Sequence, residues 1–348
     1  MGKILYTFLG TFTLALLMGT SYNMADYENY CGFYASSINF DFDFFDYGGA
    51  LWFGYSRDSG YTLINYYANY SGFNYIEFKT ILSLLCMLAL SYWVYRLSNN
   101  CICFLILYLI YPFFMDVIQI RNYIVEIILF YALYDLSQNK NTIKYVLFVL
   151  IAASFHSLAL VYLPFAFFYA LSGNFIVVKL KKMLLLLGAM MPIYAPYIEE
   201  NMELIGLLLS NDSGIQHYER YTTVSMGYGY LYAYLFILIV IIYLRKYKNI
   251  FMHNNFFHVV YDMYFYLLML SPLYAVNGNM TRIPRNLMLP LFVIMSMTEW
   301  RKNKDLSFIA LVVVIFLFGW FDLYKPGTGE NVLLILQNNI FADFFIGE

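Results

Sequence analysis

Eleven apolar runs of 13 to 22 residues leave this chain almost no way to fold in water; they lie at 4–21, 76–97, 101–115, 123–136, 143–155, 157–171, 183–198, 230–244, 259–276, 283–297 and 306–321. A helix of about 20 apolar residues rises about 30 Å, the thickness of a bilayer's hydrocarbon core. Hydrophobic residues make up 62% of the 348 and charged residues 12%, too little polar surface to cover a soluble domain of this size. The fold class that follows is all-α: a polytopic integral membrane protein of about eleven transmembrane helices, because lipid satisfies no backbone group and helices satisfy their own. The first run follows Lys3 and reads as a retained span rather than a signal peptide, since so many spans follow it.

Charge orients these spans. With the N-terminus inside, Lys3, Arg96, Lys140, Lys144, Lys179, Lys181, Lys182, Arg245, Lys246, Lys248, Arg301, Lys302 and Lys304 fall in the cytoplasm, 13 of the 20 basic residues. Every short inner loop is then basic, as the positive-inside rule requires. Two long loops, 22–75 and 199–229, and the tail 322–348 face outward, and 332–345 is apolar enough for an interfacial helix or a short extra span. The first loop mixes acidic residues such as Asp26, Glu28 and Asp58 with many tyrosines and phenylalanines, which suits an ordered surface lying on the membrane. The stretch from Lys144 to Lys179 must cross twice to keep the downstream lysines inside. Two helices of about 14 residues reach only about 21 Å each, so their joint at Ser154, His156 and Ser157 dips below the outer surface, against protein or a watery cavity.

Basic residue type differs between the two sides. The 13 inner cations are ten lysines and three arginines; the seven outer ones, Arg57, Lys79, Arg121, Arg220, Arg282, Arg285 and Lys325, are five arginines and two lysines. Arginine's planar fork binds phosphate oxygens in pairs, whereas lysine is a compact point charge. An outward-facing phosphate ligand accounts for the difference, and snorkelling of single arginines to lipid headgroups is the competing account. Arg121, Arg282 and Arg285 sit where inward-running helices are expected to start, a position that disfavours a cation by about 0.3–1 kcal/mol unless an anion is shared with the helix dipole. Arg282 and Arg285, three apart around Pro284, resemble an anion clamp. His156 at the helix joint suits either a proton-exchanging group in an outer cavity or a hydrogen-bonded core histidine. Asp26, Glu28 and Asp58 suit a general base, metal ligands or a solvated surface, and spacing does not choose among them. Glu126, about one turn inside its span, reads as a structural partner of a nearby cation. Cys31, Cys86, Cys101 and Cys103 form no disulfide or zinc pattern, and no internal repeat or phosphate-cradling glycine loop occurs.

Five short motifs follow one another along the chain: Asp26-Tyr27-Glu28-Asn29-Tyr30 after the first span, Asp58-Ser59-Gly60-Tyr61, Ile120-Arg121-Asn122 opening a span, Phe155-His156-Ser157, and Arg282 to Arg285 before Leu289-Pro290. In this order they resemble the EpsG-like polysaccharide polymerases, which belong with the Wzy-type O-antigen and capsule polymerases. Asp58 stands where that family often has glutamate. The resemblance implies an enzyme that joins oligosaccharide repeat units, carried on undecaprenyl pyrophosphate, at the outer face of a bacterial cytoplasmic membrane. It implies His156, Asp26 or Asp58 as the base and Arg121, Asn122, Arg282 and Arg285 as pyrophosphate ligands, with no cofactor and no metal required. Membrane lipid and a chain-length regulator protein are the further partners, and no nucleic acid is expected. A glycosyltransferase using a polyprenyl-phosphate sugar, resting on Asp26 and Glu28, is the alternative; a ligase is close in chemistry, and a lipid-linked oligosaccharide flippase comes from another class.

The charge bias makes a direct prediction. Cysteines placed in 245–258 should react with a membrane-impermeant thiol reagent only in inverted vesicles, and cysteines placed in 22–75 only from the outside of whole cells. Labelling of 245–258 from outside would overturn the orientation.

Overall fold

The computed structural model describes residues 2–39, 58–200, 229–276, 280, 282–298, 306–320, 323, 330–340 and 342–343. Most of the 22–75 loop's acidic run (Asp41, Asp43, Asp46) and Arg57, most of 199–229 with His217 and Arg220, the stretch holding Arg301, Lys302 and Lys304, and Lys325 lie outside these residues. Among the described residues the structure is helical and contains no strand. Gly2–Thr20 (α1), Tyr75–Leu97 and Tyr230–Tyr247 are long and apolar enough to cross a membrane, and shorter apolar helices accompany them. Leu85, Leu88, Ile102 and Ile106 are exposed on helix surfaces, which is a liability in water and a requirement in lipid.

The chain forms two compact units, one made of Met1–Leu163 with Asn286–Glu348, the other of Pro164–Arg285. In the first unit, α1 is followed by Tyr27–Ser36 (α2), Ser59–Tyr70 (α3), Tyr75–Leu97 (α4), Cys101–Ile110 (α5), Phe113–Ile118 (α6), Ile120–Asn139 (α7) and Thr142–Phe155 (α8). α1 and α4 pair antiparallel: the Thr11 and Ser91 hydroxyls bond to each other across the interface, and Lys79 Nζ donates to the Ser21 carbonyl at 2.9 Å. That bond caps the carbonyl end of α1 with a cation, where the helix dipole favours one.

Several expected spans are broken. The run at 101–115 stops at Ile110, because Pro112 has no N–H to donate and restricts Tyr111 before it, and the chain restarts as α6. α5 is then about 15 Å long, half a hydrocarbon core. α8 ends at His156, which adopts an extended conformation, and Ser157–Tyr162 continues as a 3₁₀ helix folded back so that the Tyr145 hydroxyl donates to the Tyr162 carbonyl at 3.1 Å. The irregular joint expected at Ser154–Ser157 is where helix gives way. Near the C-terminus, Met288–Met297 and Leu306–Gly319 are apolar helices, and an eight-residue helix, Glu330–Gln337, rises only about 12 Å. It leads into a segment fastened to the end of α1 by the Ser21–Asn339 bridge and by the Tyr22 hydroxyl donating to Asp343 at 2.7 Å.

In the second unit, Leu163–Ala170 (α9), opening at the unit boundary, precedes Phe175–Ala189 (α10), Met191–Glu200 (α11), Gly229–Tyr247 (α12), Asn255–Met269 (α13), Ser271–Val276 (α14) and Arg282–Arg285 (α15). Here too the expected spans at 183–198 and 259–276 are interrupted, at Met190 and Leu270. α10 and α13 lie close enough at Gly188 that a β-carbon there would overlap the Leu268 carbonyl, and the Ser271 hydroxyl donates to the Gly188 carbonyl at 2.9 Å. Small residues at such contacts are how helices approach without a hydrophobic driving force between them.

The same device joins α3 to α8. A β-carbon at Gly60 would overlap the Ser154 hydroxyl and crowd the Ser154 β-carbon at 3.0 Å and carbonyl oxygen at 3.1 Å. Gly60→Ala should therefore destabilise the first unit by about 1–3 kcal/mol, the usual cost of overpacking. In Gly60→Ala/Ser154→Ala, which removes the clashing hydroxyl, most of the loss should return. Thermal unfolding of the detergent-solubilised protein checks this, and an unchanged midpoint for Gly60→Ala alone would refute the close approach.

Candidate functional site

The α7–α8 hairpin sets the level of the site's parts. Lys140 turns the chain in the left-handed region at the end of α7, Asn141 caps α8 by accepting from the Lys144 N–H, and Lys144 Nζ pairs with Asp135 at 2.5 Å across the turn. Counting eleven residues from this pair along each antiparallel helix puts Phe155 roughly level with Ile124, about one turn from Arg121. The broken end of α8 and the start of α7 are therefore at the same end of the hairpin. The Gly60–Ser154 approach brings the start of α3 there as well.

Arg121 occupies the second position of α7, whose preceding residue Gln119 offers no side-chain cap. Its Nη1 pairs with the Asp58 carboxylate, and its Nε donates to the Tyr30 hydroxyl at 3.3 Å. The guanidinium carbon lies 5.1 Å from the centroid of the Tyr30 ring and 5.7 Å from that of Tyr61, and the two rings meet edge to face. Such cation–π contacts contribute about 0.5–2 kcal/mol each, more where water is excluded. Burial pushes the Tyr61 phenol above its usual range, with Arg121 acting in the opposite sense, so the ring serves as a neutral face rather than a counter-charge. The Asn65 amide donates to the Tyr61 carbonyl at 2.6 Å and Phe33 stacks on the ring, which hold Tyr61 in place.

Arg121 keeps 29% of its side chain exposed and Asp58 12%, so the pair is half-buried with one side open. Of the five guanidinium N–H groups, the two bonds to Asp58 and Tyr30 leave three with no bond among the described residues. Neighbouring Asn122 is buried, and its Nδ2 donates both to Glu126 at 3.1 Å and to Asn286 at 2.7 Å. The expected partner of Glu126 was a cation; an amide one turn earlier on the same helix is one partner it has. Asn122 thus anchors the first turn of α7 rather than presenting its amide outward.

His156, half-buried, accepts the Leu158 N–H on Nδ1 at 3.2 Å. A neutral ring with Nδ1 so occupied carries its proton on Nε2 and offers it as a donor. Asp26 is exposed at the head of α2 in the left-handed conformation, with only a long 3.4 Å contact from Asn29, and Glu28 beside it is exposed too. Arg282 and Arg285 belong to the second unit, where they form a four-residue helix with Arg285 buried and Arg282 half-buried. The run expected to start at 283 as one helix breaks after Arg285 and resumes at Met288, so these arginines do not open a long helix.

The structure thus groups Asp58, Arg121 and the tyrosines in the first unit, with His156 at the same end of the hairpin, and leaves Asp26 on the surface of α2. Tyr30 and Tyr61 as the bracket of the guanidinium, and Ser154 as the seat of Gly60, did not emerge from sequence reasoning. Their signal was present in the aromatic residues that close the Asp26–Tyr30 and Asp58–Tyr61 motifs.

No curated protein and no solved structure gives a significant match to this chain. A scan against protein families matches the EpsG family over residues 3–334, nearly the whole length. With its apolar helices the protein is a membrane protein of polysaccharide synthesis, and the chain belongs to the EpsG family.

Proposed function

We propose that this protein polymerises oligosaccharide repeat units carried on undecaprenyl pyrophosphate at the outer face of a bacterial cytoplasmic membrane, with its N-terminus inside. The observation that carries the reading is Arg121, a partly exposed guanidinium at a helix start, fixed by Asp58 and two tyrosines. A pyrophosphate there meets a preorganised cation and the positive end of α7 together.

In the proposed reaction, a hydroxyl oxygen of the incoming lipid-linked unit bonds to the anomeric carbon at the reducing end of the growing chain. The bond from that carbon to the pyrophosphate oxygen breaks, and undecaprenyl pyrophosphate leaves with the electron pair. Asp58, held beside the site by its pairing with Arg121, takes the hydroxyl proton. Arg121 meets the negative charge that grows on the departing pyrophosphate, a role that fixed guanidinium dipoles fill without reorganisation. His156, with Nδ1 engaged, donates from Nε2 to a phosphate oxygen rather than acting as base. Asn122 positions the first turn of α7 through Glu126 and Asn286. Arg282 and Arg285 keep the pyrophosphate role that the excess of outer arginines assigns them. A chain-length regulator is the expected protein partner.

Polymer formation from purified lipid-linked repeat units by reconstituted variants tests the reading. Arg121→Lys keeps the charge and the Asp58 pairing but loses the fork, and should lower the rate at least about tenfold; Arg121→Ala should lower it by about 10²–10³. Asp58→Asn should fall as far as Arg121→Ala, while Asp26→Asn should retain most activity. Lysine serving as well as arginine at position 121 would support headgroup snorkelling instead, and loss on Asp26→Asn with Asp58→Asn intact would favour transfer from a polyprenyl-phosphate sugar.

A further inference from the structure

The second unit holds a small cleft of about 50 Å³, open to its surroundings. Its walls include Phe165, Phe168, Tyr169 and Tyr266, whose rings pack against one another at centroid distances of 5.8 to 6.1 Å. Two side chains of opposite charge face into it, Lys181 from α10 and Asp262 from α13. They attract each other, and no ion pair joins the two among the described residues. His258 and Lys248 add to the positive field at Asp262. Opposite charges lining one open cleft suit an occupant that carries both signs.

Depth narrows what that occupant is. α10 starts after its Asn174 cap and α13 after Asn254, and Lys181 and Asp262 are the seventh and eighth residues of these helices. At 1.5 Å per residue both lie about 10 Å from the turns, where the headgroup layer meets the hydrocarbon. These turns are the basic ones that the charge bias assigns to the cytoplasm. A ligand carrying an anion and a cation a few ångströms apart, with an apolar body below, fits this arrangement of charge and ring. Phosphatidylglycerol would place no cation on Asp262, and a polyprenyl pyrophosphate would bring several negative charges to a site with one carboxylate of its own.

We infer that the cleft binds the headgroup of a phosphatidylethanolamine molecule of the cytoplasmic leaflet, its ammonium on Asp262, its phosphate on Lys181 and its glycerol and first methylenes against the rings. The primary ammonium also finds the faces of Tyr169 and Tyr266. This site is separate from the proposed chemistry at Arg121 and depends only on the sidedness of the basic turns.

The test is native mass spectrometry of the full-length protein released from nanodiscs of equimolar phosphatidylethanolamine and phosphatidylglycerol. The parent should retain the ethanolamine lipid preferentially. Asp262→Asn, close in size, should lower the ethanolamine-to-glycerol retention ratio about tenfold, and Lys181→Gln should weaken retention of both lipids. Thermal unfolding in detergent confirms that each variant is folded. The parent's preference needs no variant, so it decides even if Asp262→Asn misfolds. Equal retention of the two lipids by the parent, an unchanged ratio in folded Asp262→Asn, or preferential retention of the anionic lipid would overturn the site.

Discussion

Hydrocarbon supplies no hydrogen-bond partner, so each place where this chain stops being a helix has to find one within the protein or at the water layer. The turns meet that demand with asparagine. Asn100, Asn141, Asn174 and Asn254 each open the following helix by accepting one of its orphan N–H groups, and Asn74 does so in a capping box with Glu77. The first four stand at turns whose flanking helix ends carry Arg96, Lys140, the Lys179–Lys182 cluster and the Arg245–Lys248 cluster. Cap and cations thus gather at the same helix ends.

Breaks inside the apolar runs are costlier, and two of them build the site. The Tyr111–Pro112 interruption shortens α5 and lets α6 lead straight into the uncapped start of α7, where Arg121 sits. The interruption at His156 stops α8 short of the full bilayer and turns its end into a 3₁₀ helix. A straight continuation of α8 would run past the level of Arg121 from about residue 158 onward. Because it stops, α3 can drop in, with Gly60 against Ser154 and Asp58 against Arg121. Irregular backbone, a polar side chain and a surface segment therefore meet in one place because each needs the others to satisfy its polar groups.

This explains what could be read in advance. Span positions were legible, since apolar length is a local property: the expected 4–21 and 76–97 correspond to Gly2–Thr20 and Tyr75–Leu97. The joint at His156 was legible from arithmetic, as two crossings had to fit in too few residues. The breaks at Pro112, Met190 and Leu270 each carried a local signal that the apolar runs obscured, since Pro192 and Pro272 follow the latter two by two residues and have no N–H to donate. Arg121 was legible as an oddity, a cation at a helix start. Its partners were not, because Tyr30, Asp58 and Tyr61 lie 60 to 91 residues away and only the tertiary fold joins them. Asn122 misled for the same reason: from sequence it is a polar neighbour of Arg121, but on a helix the next residue points about 100° away, toward Glu126 and Asn286.

Lys79 and Arg121 show how differently lysine and arginine answer the same setting. Both lie near the start of a helix, where a cation is disfavoured, and both are largely withdrawn from water. Lys79 resolves the conflict structurally: its ammonium reaches the Ser21 carbonyl, a negative helix end, and no ligand is needed. A compact point charge suits that single contact. Arg121 is offset by one carboxylate, one phenol and two ring faces that meet at an angle beside it. Several contacts of different direction fix where a planar fork lies, which the single contact of an ammonium does not demand. In the proposed function that fixed fork is what a second anion meets alongside Asp58.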